Sequence, residues 1–103
     1  NVHFFEDDKF ELSVWESEWS EFFDLVVAMD VIEHIHPHEI QAFMINLYRI
    51  LKRPGLFFAH LNYNPIDKEK YPMHFLETKD DVEGFLKEKF SVYAENLIWR
   101  KER

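Results

Sequence analysis

The chain has 103 residues, 47% of them hydrophobic and 17% aromatic, with 11 phenylalanines, which is ample material for the core of one small domain. Its formal net charge is −8 with histidine neutral, whereas a nonspecific nucleic-acid binder presents a basic surface. It has no cysteine, which excludes disulfides, thiolate zinc sites and cysteine nucleophiles, and no apolar run approaches the roughly 18 residues of a membrane span.

The opening residues, Asn1 to Phe5, read as a short strand stopped by Glu6, Asp7 and Asp8. They are acidic and lack the basic front of a secretory signal. Leu12, Trp15, Trp19, Phe22 and Phe23 recur at helical spacing, and Ser13 with Glu16 makes a capping box, so a short helix is expected here. An aromatic loop packed on the core is the alternative. "DLVVAM", Asp24 to Met29, is continuously apolar after its first residue. Such a run suits a strand covered on both faces, as in a parallel sheet.

A helix is predicted from Pro37, whose missing N–H costs nothing at a first helical position. Ile40, Phe43, Met44, Leu47 and Leu51 form its apolar stripe. Lys52 and Arg53 suit the negative C-terminal end of the helix, and Pro54-Gly55 stops it. "LFFAHL", Leu56 to Leu61, is a second buried-strand run, in which His60 reads as a satisfied core histidine. A long loop with two prolines follows. Asn62, Tyr63 and Asn64 at its start suit either contact with a ligand or an Asx-rich turn before Pro65. Thr78 and Asp81 form a capping box for a last helix with Val82, Phe85 and Leu86 inward. "FSVYAENLIW" closes the pattern as one strand or as a tight hairpin around Glu95-Asn96. "RKER", Arg100 to Arg103, is the one candidate basic patch. The expected core therefore includes Val26, Val27, Phe57 and Phe58 beside the helical stripes.

Strand–helix–strand–helix–strand order implies an α/β fold with at least one right-handed crossover. In such sheets ligands bind beyond the carboxyl ends of the strands. That puts Asp30, Glu33 and His34 after one strand and His60 to Asn64 after the next, where chemistry is delivered. Three histidines in "HIHPH" resemble a zinc cluster by composition, but no thiolate or fixed helical frame supports one.

At "FDLVVAMDVIEHI" and "LYRILKRPGLFFAHLNYN" the chain resembles class I S-adenosylmethionine-dependent methyltransferases. The residues that carry the resemblance are Phe23-Asp24, Asp30, Glu33-His34, Arg49, Leu51-Lys52 and Gly55, and it is most specific over residues 22–62. It implies a Rossmann-like methyltransferase fold of α/β class, here a partial one: the second half of a seven-stranded sheet with flanking helices. By that reading residues 1–103 are the C-terminal part of a single methyltransferase domain. The family's glycine-rich cofactor loop and its ribose-binding acid are absent from this sequence, so a missing N-terminal half or a second chain is an expected partner, and the chain alone is expected to be inactive.

The implied activity is methyl transfer from S-adenosylmethionine to a small-molecule acceptor in the cytoplasm, with no role for nucleic acid or membrane. The resemblance assigns Asp8, Met29 and Asp30 to the cofactor, and His34 and His74 to catalysis. Glu33-His34 has three readings: a structural turn, a general base with an imidazole near neutral pKa, or part of a metal site. The primary reading has no metal. One branch of the family, the small-RNA 2′-O-methyltransferases, holds a divalent ion with a similar motif, and there the ligands would be Asp30, Glu33, His34 and His74. A noncatalytic methyltransferase-like partner or scaffold is a further alternative.

Overall fold

The computed structural model describes residues 19–94 and 97–102. The strand expected at residues 1–5, the helix at 12–23 up to Glu18, the Ser13/Glu16 capping box and Asp8 lie outside the described residues, as do Glu95, Asn96 and Arg103. The described elements run β1 (Phe23–Met29), α1 (Ile40–Ile50), β2 (Leu51–His60), α2 (Lys79–Lys89), β3 (Ser91–Ala94) and β4 (Ile98–Lys101). Short 3-10 turns at Ile32–His34 and Leu76–Thr78 precede the two helices. The sheet order is β1-β2-β4-β3, with β1 and β2 parallel and the other pairs antiparallel. This is an α/β, partial Rossmann-like arrangement, and the chain's end takes the hairpin form.

Both helices pack on one face of the sheet. Ile40, Phe43, Met44 and Leu47 of α1 and Val82 and Leu86 of α2 form one core with Ala28, Phe57, Ala59 and Trp99 of the strands. Because side chains alternate across a strand, the partners of those strand residues in sequence face the other way. Leu25, Val27 and Met29 do so, and they are 51%, 57% and 49% exposed. They stand in register with Leu56, Phe58 and His60 of β2. The expectation that Val27 is core is therefore corrected: the apolar run suits a strand buried on both sides, yet among the described residues helices cover one side. Val26, Phe58 and Phe85 are half-buried rather than fully so.

Two boundaries differ from the sequence pattern. The first helical residue is Ile40, with Glu39 at the cap position and Pro37 in the preceding turn. At the other end the helix stops at Ile50, and Leu51, Lys52 and Arg53 already belong to β2. Pairing jumps from Phe23–Leu51 to Leu25–Leu56, so the chain bulges between these rungs. Gly55 permits the bulge, since a Cβ there would stand 2.6 Å from the Lys52 carbonyl oxygen. Lys52 and Arg53 make exposed ion pairs with Asp24 and Glu21 at 3.4 and 3.3 Å instead of serving the helix end.

That end is served by β4. Lys101 is buried, and its Nζ donates to the carbonyl oxygens of Tyr48 and Leu51, each at 2.8 Å, while lying over the Tyr48 ring. Burial lowers its pKa from the ordinary lysine value. Among the described residues the candidate basic patch is not one: Lys101 is buried, and Arg100 pairs with Glu102 at 3.3 Å. The Thr78/Asp81 capping box is also absent. Thr78 precedes α2, but its side chain makes no capping bond and donates to the Phe75 carbonyl at 3.0 Å.

Candidate functional site

The parallel pair β1–β2 sends its two chain ends out of the same edge of the sheet. At the end of β1, Asp30 takes a left-handed backbone conformation with φ 55°. Aspartate is among the few non-glycine residues that enter this region readily, because its short side chain bonds locally. Its N–H donates to the His60 carbonyl at 3.1 Å, which extends the ladder by one rung beyond β1. Its side chain turns to the same partner: Oδ1 lies 2.6 Å from His60 Nδ1. His60 and Asp30 are 51% and 56% exposed at their side chains. His60 is therefore not the core histidine its apolar neighbours suggest. It is in register with Met29, on the uncovered face, and it marks the place where β2 runs out of the sheet.

The 3-10 turn that follows β1 folds back toward the core side. Glu33 is fully buried. Its main-chain oxygen accepts from the Phe75 N–H at 2.8 Å, while neither carboxylate oxygen has a hydrogen-bond partner among the described residues. His34 Nε2 is 3.9 Å from Glu33 Oε2, beyond hydrogen-bond length. The other ring nitrogen of His34 donates to the Met73 carbonyl at 2.7 Å. His74 is buried, and its Nε2 donates to the Asn62 carbonyl at 2.7 Å. The two imidazoles meet edge to face, 5.7 Å between centres. Each thus spends an N–H on holding the loop that runs from Asn62 to Met73.

Tyr63 closes this group. Its hydroxyl is 2.9 Å from Thr78 Oγ1. Burial raises its pKa above the ordinary value, with the Thr78 bond acting the other way and the negative charges of Glu33 and Glu83 adding to the rise. Asn62 Oδ1 accepts from the Asn64 N–H at 3.4 Å, an Asx-type turn. His36 and His38 stack on one another at 4.7 Å, away from His34's bonding.

The sequence-predicted residues thus fall into two groups. Met29 and Asp30 stand at the exposed strand end together with His60, which the sequence placed at that sheet edge but whose apolar neighbours made it read as a core histidine. Glu33, His34 and His74 lie together beneath the loop. The four residues of the metal alternative are split between them, and among the described residues no three histidine or acidic side chains gather as a metal site. The positional signal for His60, the end of an apolar strand run where a sheet meets its ligand, outweighs the apolar neighbours that suggested a core place, since β2 ends at His60. A cleft of about 430 Å³ lies elsewhere, between α1 and α2, lined by Pro37, Ile40, Met44, Asp80, Phe85 and Glu88 among others, and none of the predicted residues lines it.

Both glycines of the sequence are used in β2 and α2, so neither forms a loop around a nucleotide here.

Comparison with protein-family models matches residues 16–59 to a family described as a methyltransferase domain. The matched segment contains β1, the 3-10 turn, α1 and β2 up to Ala59. Searches of curated proteins and of solved structures found no match. Among the described residues no helix is long and apolar enough to cross a membrane.

Proposed function

We propose that this chain, whose residues 16–59 match a methyltransferase-domain family, belongs to a class I S-adenosylmethionine-dependent methyltransferase and transfers a methyl group to a small-molecule acceptor at the shared carboxyl edge of β1 and β2. The observation that supports this most is the placement of Met29, Asp30 and the turn to His34 at the end of the matched parallel strand. S-adenosylmethionine, when bound, supplies a methyl group already activated by its sulfonium charge. The protein's work is then alignment and exclusion of water. Met29 and Asp30 would hold the donor, with Asp8 as a further contact by family likeness. The loop from Asn62 to Met73, pinned by His34 and His74, would form the acceptor side.

On this reading residues 1–103 act as the C-terminal part of a single domain, and the site is half of one. A glycine-rich strand–loop–helix and a ribose-binding acid would come from an adjoining segment or from a second chain. The apolar row Leu25, Val27 and Met29, exposed and covered by no helix among the described residues, suits such a covering partner. The cysteine-free composition suits a cytoplasmic setting, and the acidic charge suits a small-molecule acceptor better than RNA.

Calorimetry of S-adenosylhomocysteine against the 103-residue chain tests the reading. The expected result is weak binding in the millimolar range. Low-micromolar affinity would mean that the chain needs no second half.

A further inference from the structure

We propose that Asp30 and His60 form a carboxylate–imidazole dyad in which His60 Nε2 is the proton acceptor of the methyl-transfer site and Asp30 is the residue that positions it. The inference rests on the functional reading above and adds to it the group that takes the acceptor's proton. His74 is buried and its Nε2 is spent on the Asn62 carbonyl, while His34 holds the Met73 carbonyl through Nδ1 and has its Nε2 3.9 Å from the buried Glu33 carboxylate, without a hydrogen-bonded acid to position the ring.

Three observations support the dyad. First, the contact is 2.6 Å, within the short range of charge-assisted bonds. An ionised carboxylate only accepts hydrogen bonds, so Nδ1 must be the donor, and the neutral ring then presents its lone pair at Nε2. Second, the geometry is fixed from two sides. The Asp30 N–H bond to the His60 carbonyl and the left-handed turn of Asp30 aim the carboxylate across the end of the sheet. Third, both side chains are half-exposed. A pair so open to water adds little to stability, so the fold has no evident need of it, and the ring remains open to a ligand at the strand end.

The step balances as follows. With a hydroxyl acceptor, His60 Nε2 takes the proton as the O–H bond breaks, and the electron pair left on oxygen forms the new bond to the methyl carbon. With a neutral amine, the nitrogen lone pair forms that bond and Nε2 takes a proton from the resulting ammonium, whose N–H pair stays on nitrogen. The sulfonium sulfur of the donor keeps the pair of the S–C bond that breaks and leaves as a thioether. Hydroxyl and amine acceptors are the substrate classes that need such a base.

The test uses the ¹⁵N-labelled 103-residue chain. Long-range ¹H–¹⁵N correlation reads the tautomer of each histidine, and the rate of carbethoxylation by diethyl pyrocarbonate, followed residue by residue by mass spectrometry, reads the openness of Nε2. The dyad predicts the Nδ1–H tautomer at His60 and modification of His60 well ahead of His74. Asp30→Asn is expected to shift that tautomer and slow the His60 reaction severalfold, with the rest of the spectrum unchanged. Millimolar S-adenosylhomocysteine is expected to slow His60 and leave His36 as it was. An Nε2–H tautomer at His60, or a His60 indifferent to Asp30→Asn, overturns the dyad even if S-adenosylhomocysteine binds. An intact dyad at which S-adenosylhomocysteine changes nothing removes His60 from the transfer site; shifts elsewhere in the spectrum would then leave the methyl-transfer reading standing, and a spectrum without shifts would end both.

Discussion

Asp30–His60 and Glu33–His34 are two acid–histidine pairs whose acids follow the same strand, β1, and they are built in opposite ways. The first has its hydrogen bond and little burial, with 2.6 Å between Oδ1 and Nδ1 in a half-exposed setting. The second has burial and no hydrogen bond: the Glu33 carboxylate is enclosed and unpartnered, and the nearest imidazole nitrogen stands 3.9 Å away. The first pair is open to solvent and satisfied by its own bond, whereas enclosing a carboxylate without a hydrogen-bond partner costs stability. The difference teaches that nearness in sequence does not make one site. Three residues of chain, turning from the uncovered face to the core side, separate a pair suited to chemistry from one that bears on stability.

The largest effect is expected in the core on which both pairs stand. Leu47→Ala, at a fully buried position of α1, should cost about 2–5 kcal/mol in denaturant unfolding. A loss within experimental error would show that α1 does not pack as described and would remove the floor beneath both pairs.

Glu33→Met separates the pairs by the sign of its effect. Replacing an unpartnered buried carboxylate with an apolar side chain of similar length should raise stability by about 1 kcal/mol or more. A clear fall in melting temperature would show that the carboxylate has a partner and that the contrast is misdrawn.

By comparison Asp30→Asn and His60→Gln should each change unfolding free energy by less than about 1 kcal/mol, the range of exposed ion pairs. A larger loss at either would make that pair a structural clamp.

The smallest effect is alkaline. Burial, aided by the Glu33 charge, lets Tyr63 keep its proton to higher pH in the fold than in the unfolded chain, whose tyrosines titrate near 10.0. The contribution is complete below that value and is lost as pH rises through the raised folded pKa. Wild type should therefore lose stability above pH 10 faster than Tyr63→Phe, and the gap should narrow in a Glu33→Met background. Parallel pH profiles would contradict the coupling.

Much of the fold was legible because hydrophobic pattern reports burial. The runs over Leu25 to Met29 and Leu56 to Ala59 gave two strands, and the stripes Ile40, Phe43, Met44, Leu47 and Val82, Leu86 gave two helices. The start of β2 was not legible, because Lys52, Arg53 and Pro54 look like a helix ending, and it takes the pairing of Phe23 with Leu51 to place them in a bulged strand. Nor was Thr78: its capping pattern is local, and it was overridden by Phe75 and Tyr63. At the candidate site the sequence places Asp30, Glu33 and His34 after one strand but cannot say which face each takes. His60 was misread because its apolar neighbours suggest a core position, whereas β2 ends there and leaves the ring half-exposed. Whether Val27 is covered depends on what lies on the second face of the sheet, which no residue of β1 encodes.

The central claim is that the carboxyl edge of β1 and β2 is one half of a methyl-donor site. Titration of the ¹⁵N-labelled chain with S-adenosylhomocysteine, followed through its backbone amides, tests that claim most directly. The account predicts saturable shifts in the millimolar range, confined to residues 29–34 and 60–64. No shift at those residues, or shifts gathered instead on Ile40, Met44, Val82 and Phe85 in the cleft between the helices, would contradict it.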